Sequence, residues 1–124
     1  MSSLHIRISA LLGFIAVVCG ASGAHGGLHD YVAARGELGH WETAVLYHLL
    51  HAVVLTVLAM AGSRGGTRVV WAWRCILTGI VLFSGSLYTM ALTQQSWLGA
   101  VTPLGGLFLL LGWLLVALAR WERP

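Results

Sequence analysis

The sequence predicts an all-α, integral membrane four-helix bundle with both termini on the cytoplasmic side (N-in/C-in), and three observations carry that. The first is composition: 58% of the 124 residues are hydrophobic and only 9% charged, with mean hydropathy +0.84. A soluble domain carries roughly 25% charged residues, so this chain cannot clothe a water-facing surface. It is also too apolar to remain disordered. The second is a set of four apolar runs near the ~17–25 residues that a helix needs to cross a bilayer. The third is a one-sided distribution of arginine. Four spans of ~20 residues take up most of the chain, so one domain, residues 1–124, is expected.

The first span covers about residues 8–24, uncharged between Arg7 and His25. A secretory signal is the rival reading, because Arg7, an apolar core, Ser22 and Ala24 also suit one. A lipoprotein anchor is disfavoured by bulky Val18 before Cys19, and the segment is taken as a helix. The second span covers 43–62, the third 69–93 and the fourth 98–119. Continuous apolar runs without period-2 alternation argue for helices over a barrel. The long connection, 26–42, mixes Leu28, Tyr31, Val32 and Leu38 with charges, which suits a short helix on the membrane interface.

All seven basic residues are arginine. With four spans, Arg7, Arg64, Arg68, Arg74, Arg120 and Arg123 share one side, and the other holds only Arg35. The positive-inside rule then places both termini in the cytoplasm of a bacterial inner (plasma) membrane. Scattered arginines at span ends are topology signals, so the +3 net charge does not indicate a nucleic-acid partner. Arg74 is expected to snorkel to the interface. The six tryptophans fall mostly near span ends, as an aromatic belt should. Small residues mark the expected helix contacts: Ala16, Gly20 and Ala24; Cys19, Gly23 and Gly27; Gly85 with Thr89; Thr102 with Gly106. Pro103, about five residues into the last span, is expected to kink it locally.

Five of the six histidines fall between positions 25 and 51: His25, His29, His40, His48 and His51. His48 and His51, spaced i, i+3, share one helical face roughly 8 and 12 Å below the outer boundary. An ionisable group at that depth is a functional-site candidate. By helix rise Tyr88 matches His48 in depth and Ser84 matches His51. Tyr47, Ser86, Thr89 and Thr102 join them, and His25 caps the first span. The result is an outward-facing polar pocket. Its plainest reading is a hydrogen-bond cluster that sets helix register. The sharper one is a zinc or copper site from His48 and His51 with His25 or Glu42; haem would need His25 to oppose His48 or His51. A proton-coupled carrier would need titratable groups through the whole thickness, and no Asp or Glu lies inside a span. No nucleophile triad, phosphate loop or dinucleotide pattern is present.

Four stretches, GASGAHG (20–26), WETAVLYHLLHA (41–52), GIVLFSGSLYTMAL (79–92) and WLGAVTPLGGLFLLLGW (97–113), together resemble the domain-of-unknown-function 423 family. These are small bacterial inner-membrane proteins with mitochondrial relatives. The resemblance implies a four-helix bundle without an assigned activity. It places His25, Tyr47, His48, His51, Ser84, Ser86, Tyr88 and Pro103 in the family pattern, while the charged stretch 27–40 is individual to this chain. The expectation is a non-enzymatic structural or accessory component of a membrane complex, or a homo-oligomer, embedded in the lipid bilayer and holding no cofactor. Metal-ion or small-ligand handling in the pocket is the alternative.

Overall fold

The computed structural model describes residues 1–123. It contains five α-helices: α1 (Ser3–Ala24), α2 (Gly27–Ala34), α3 (Leu38–Ala61), α4 (Gly66–Thr93) and α5 (Val101–Ala117). Three continuous helical stretches are long and apolar enough to cross a membrane: Ser3–Ala24, Leu38–Thr93 and Ser96–Ala117. The middle one, of 56 residues, is α3 and α4 doubled back on each other. The reversal is a 3₁₀ turn, Gly62–Gly65, with Gly62 at φ 62° and Gly66 at φ 64°. Only glycine adopts such angles without steric cost, so this pair ends one helix and starts the next. The architecture is therefore four long helices plus the short α2.

Helix starts differ from the expected spans. α1 begins at Ser3 because His5 caps it: the Ser2 backbone N–H donates to His5 Nδ1 at 3.2 Å. α3 begins at Leu38, five residues before the expected 43, since helix continues up through the charged interface. This moves His48 to about 15 Å and His51 to about 20 Å from the helix start, by the 1.5 Å rise. Both lie mid-helix, deeper than the outer layer read from the sequence. Pro103 falls in the first turn of α5, where its missing N–H leaves no bond unmade, so no kink is needed.

α3 and α4 form the central pair; α1 packs on α3, and α5 packs on α4. In lipid the hydrophobic effect gives helices little reason to associate, so close packing must supply the attraction. Leu55, Ile76 and Val69 are fully enclosed between α3 and α4, with Trp73, Ile80 and Leu109 completing the core. The close approaches are made by small residues, though only partly those expected. On α1 they are Ala16, Gly20 and Gly23, where a Cβ on Gly23 would stand 2.3 Å from the Trp41 ring. Ala24 and Gly27 are exposed. On α4 and α5 the contacts fall at Gly79, Gly105 and Gly112, while Gly85 faces open space and Thr89 is exposed.

One end gathers the N-terminal part of α1, the α3–α4 turn and the end of α5. The Glu122 N–H donates to Arg64 O at 2.8 Å, and Arg68 donates to Leu118 O at 2.5 Å. This end carries six of the seven arginines, and Arg74 lays its guanidinium 5.0 Å over the exposed Trp71 ring. At the opposite end α2 forms a strap. Its Val32 is buried beside Trp41 and Ala91, and its Tyr31 hydroxyl donates to Leu92 O at 3.2 Å. Arg35 donates to the Tyr31 hydroxyl and, at 2.9 Å, to Gln94 Oε1. Trp41 and Trp73 are buried core residues, contrary to a belt reading, whereas Trp71, Trp97, Trp113 and Trp121 are exposed.

Candidate functional site

The YHLLH stretch of α3 points both histidines inward, with His48 4% and His51 3% exposed. The i, i+3 spacing turns them by about 60° relative to each other, and that angle decides their fates. His48 faces the α1–α4 side of the central pair and His51 faces α5.

His51 is fully occupied. Its Nδ1 lies 2.7 Å from the Tyr47 carbonyl, and the Trp113 indole N–H reaches its Nε2 at 3.0 Å. A carbonyl only accepts and an indole only donates, so His51 carries its proton on Nδ1 and offers no free lone pair. Trp113 escaped the sequence reading, which assigned it to the interface belt. The missing signal was depth. Trp113 lies about 18 Å from the start of α5 and His51 about 20 Å from the start of α3, so the two match once α3 is extended to Leu38. Trp113→Phe should lower bundle stability by about 0.6–1.7 kcal/mol, the range of a single interhelical bond in a membrane protein. Equilibrium unfolding in detergent would show it, and no change would mean that His51 finds another donor.

His48 pairs with Tyr88, Nδ1 to hydroxyl, at 2.9 Å. The two meet although their Cα atoms are not level. Side chains lean towards their own helix N-terminus, and α3 and α4 run antiparallel, so the imidazole and the phenol reach towards each other. Tyr88 packs edge-on against Trp41 at 4.7 Å between ring centroids, and the Trp41 indole donates to Cys19 O at 2.9 Å.

The remaining polar residues are spent elsewhere. Ser84 donates to Ala44 O at 2.9 Å across α3–α4, about two turns away from the expected level with His51. Ser86 donates to Phe83 O at 2.9 Å and lies 2.6 Å from the Thr102 hydroxyl across α4–α5. Tyr47 is partly exposed, stacked on His51 and tilted against Phe83. His25 is exposed at the end of α1 and is not brought to His48 or His51. Among the described residues no three His, Cys, Asp or Glu side chains converge as a metal site would require. The single pocket read from the sequence is thus several separate interhelical contacts. A further one, Trp73 to Ser9 at 3.1 Å, lies near the arginine-rich end, which the sequence reading took as nearly devoid of polar groups.

Two concavities open from these contacts towards the lipid-facing surface. One, of about 480 Å³, lies between α3, α4 and α5, walled by Tyr47, Phe83, Pro103 and Trp113 with His51 behind them. The other, of about 280 Å³, lies between α1 and α4 and includes Leu12, Cys19, Ile80, His48 and Tyr88.

Comparison with known proteins gives the same class. A 41% identical relative, a UPF0382 membrane protein of Staphylococcus epidermidis, aligns over 92% of both chains. The Bacillus subtilis UPF0382 membrane protein YwdK is also 41% identical, over 92% of this chain and 93% of its own. A Staphylococcus aureus UPF0382 membrane protein is 37% identical over 96% of both. No solved structure matches. The model of the family described as "Protein of unknown function (DUF423)" matches residues 19–106, which hold His25, both buried histidines and the Ser84–Tyr88 segment. With its apolar helices and these relatives, the chain is a membrane protein and belongs to the DUF423 family.

Proposed function

We propose that this protein is a non-enzymatic component of a membrane assembly, a helical scaffold whose polar groups hold its own helices in register. One observation supports this best: the interhelical hydrogen bonds are spread over the helix pairs. Trp41–Cys19 joins α3 to α1, Trp73–Ser9 joins α4 to α1, and His48–Tyr88 and Ser84–Ala44 join α3 to α4. Trp113–His51 joins α5 to α3, and Ser86–Thr102 joins α5 to α4. A catalytic or ion-carrying site concentrates its titratable groups and leaves them free to react. Here they are dispersed, and both nitrogens of His51 and one of His48 are engaged. A metal centre finds little support in this donor set, because both nitrogens of His51 are taken and His25 stands apart.

The face for a partner in this reading is the groove of Tyr47, Phe83 and Trp113, rich in the aromatic residues that anchor protein contacts. Both termini and the arginine-rich end are placed in the cytoplasm, following the six-to-one arginine distribution. The test is purification of the C-terminally tagged chain from its own membranes in native-lipid nanodiscs. A membrane protein or a second copy should be recovered in fixed stoichiometry and be lost on Gly106→Leu. That side chain would fill the groove from a position whose Cβ has only an ordinary contact with Phe83. Recovery of the wild-type chain alone would defeat the reading. The same tag should be cleaved by added protease only in inverted vesicles, and cleavage in right-side-out cells would reverse the orientation.

A further inference from the structure

Among the described residues, two buried side-chain polar atoms lack a hydrogen-bond partner: Arg35 Nε and His48 Nε2. Arg35 sits on the α2 strap at the outer end, where water can reach the neighbourhood. His48 is mid-helix, where nothing but protein or lipid is available. The ring neighbours the α1 backbone at Leu12, but Nε2 meets no acceptor in hydrogen-bond geometry.

The proton on that nitrogen can be assigned. The Tyr88 hydroxyl lies 2.9 Å from His48 Nδ1 and also neighbours the Cys19 side chain. Sulfur is the weaker acceptor, so the phenol gives its proton to the imidazole: Nδ1 accepts and the imidazole proton stays on Nε2. His48 therefore holds out an unspent N–H. This is the reverse of what a metal ligand requires, which is a free lone pair. It is what a carbonyl oxygen requires.

His48 also lines the 280 Å³ crevice between α1 and α4, whose other walls are mostly Leu12, Ile15, Ile80 and Val81. Gly85 forms part of this wall and has nothing within 4 Å of where a Cβ would stand. The volume is at the lower edge of the roughly 300–1,000 Å³ typical of small-molecule sites, enough for one substituted ring. The Ser84 and Tyr88 hydroxyls in the lining are engaged with Ala44 O and His48, and a thiol is a weak donor, so the one strong free donor selects a molecule that is apolar apart from one acceptor. We propose that the α1–α4 crevice binds a lipid-soluble carbonyl compound, of the chemical class of the membrane quinones, whose oxygen accepts the His48 Nε2–H. The molecule enters sideways from the bilayer, and its apolar tail stays among the lipid chains. The binding needs no partner protein, so it stands or falls separately from the assembly role.

The test uses the purified full chain in lipid nanodiscs with a photoreactive azidobenzoquinone carrying a decyl chain. Labelling should saturate, map to α1 around Leu12–Cys19 and to α4 around Ile80–Tyr88, and be competed by decylbenzoquinone but not by decylbenzene. Gly85→Leu places its side chain in the crevice, from a position whose Cβ meets nothing within 4 Å, and should abolish competable labelling. His48→Leu removes the donor and should weaken binding about tenfold, the worth of one hydrogen bond, whereas His48→Gln restores an N–H and should recover most of it. Melting followed by circular dichroism confirms that each variant is folded. Labelling that does not saturate, that decylbenzene competes equally, or that persists in folded Gly85→Leu overturns the proposal.

Discussion

Trp73→Ala is expected to be the most damaging single truncation in the bundle, costing about 3–5 kcal/mol by the scale of buried aromatic truncations. Trp73 is 4% exposed and ties α4 to α1. Its ring fills the core with Ile76 and Ile80, its indole donates to Ser9 at 3.1 Å, and the His5 ring packs edge-on against it at 4.6 Å. Truncation leaves a void that lipid cannot enter and removes the donor that holds the start of α1 to α4. Trp73→Phe should cost only about 1 kcal/mol, because most of the ring remains and Ser9 keeps its bond to His5 O at 2.7 Å. Trp71→Ala, two residues away on the exposed side, should cost less than about 1 kcal/mol, the worth of an exposed cation–π contact with Arg74. Equilibrium unfolding of the three variants in one detergent decides it. Equal losses for Trp71→Ala and Trp73→Ala would refute the assignment of Trp73 to the core.

Gly105→Ala should separate α5 from α4. A Cβ at Gly105 would stand 2.3 Å from Phe83 N and 2.8 Å from Leu82 C, both backbone atoms inside a continuous helix. Neither can rotate away as a side chain would, so the helices must move apart. That stretches the neighbouring Ser86–Thr102 contact of 2.6 Å and loosens Gly112 against Ile76. The expected loss is about 3 kcal/mol, the upper end for overpacking, because the obstruction is backbone. The adjacent Gly106→Ala supplies the control: its Cβ would meet only the Phe83 ring, at 3.8 Å, and should change stability by less than about 0.5 kcal/mol. If both alanines are tolerated equally, α5 does not seat on α4 at this register.

How much could be read beforehand varies by residue, with a physical pattern. Four spans, a short helix between the first two and the grouping of both termini with the α3–α4 turn follow from apolar run length and arginine placement, and they need no knowledge of packing. The pairing of His48 with Tyr88 is expected from matched depths, yet with α3 starting at Leu38 the two are not level, and they meet because side chains on antiparallel helices lean towards each other. Depth arithmetic carries no azimuth, however. It grouped His48 and His51 into one pocket, while a turn of about 60° along α3 sends them to opposite neighbours, Tyr88 and Trp113. The small-residue faces show the same gap. Spacing alone marked Gly85 with Thr89 and Thr102 with Gly106, whereas the helices touch at Gly79, Gly105 and Gly112. Ser9 and Trp73 were overlooked because each is unremarkable by itself and only the meeting of α1 with α4 makes them a pair.

Run length and charge placement alone specify a four-span membrane helix bundle with an arginine-rich end holding both termini, because lipid forbids unpaired backbone and penalises buried charge residue by residue. Which side chains spend their hydrogen bonds on one another, and that His48 Nε2 is left over, emerges only when the helices pack. Those outcomes depend on the rotation of each helix about its axis. That rotation is set by close packing at Gly23, Gly79 and Gly105 against side chains and backbone far away in the chain, a sum of many small contacts that no single stretch of sequence contains.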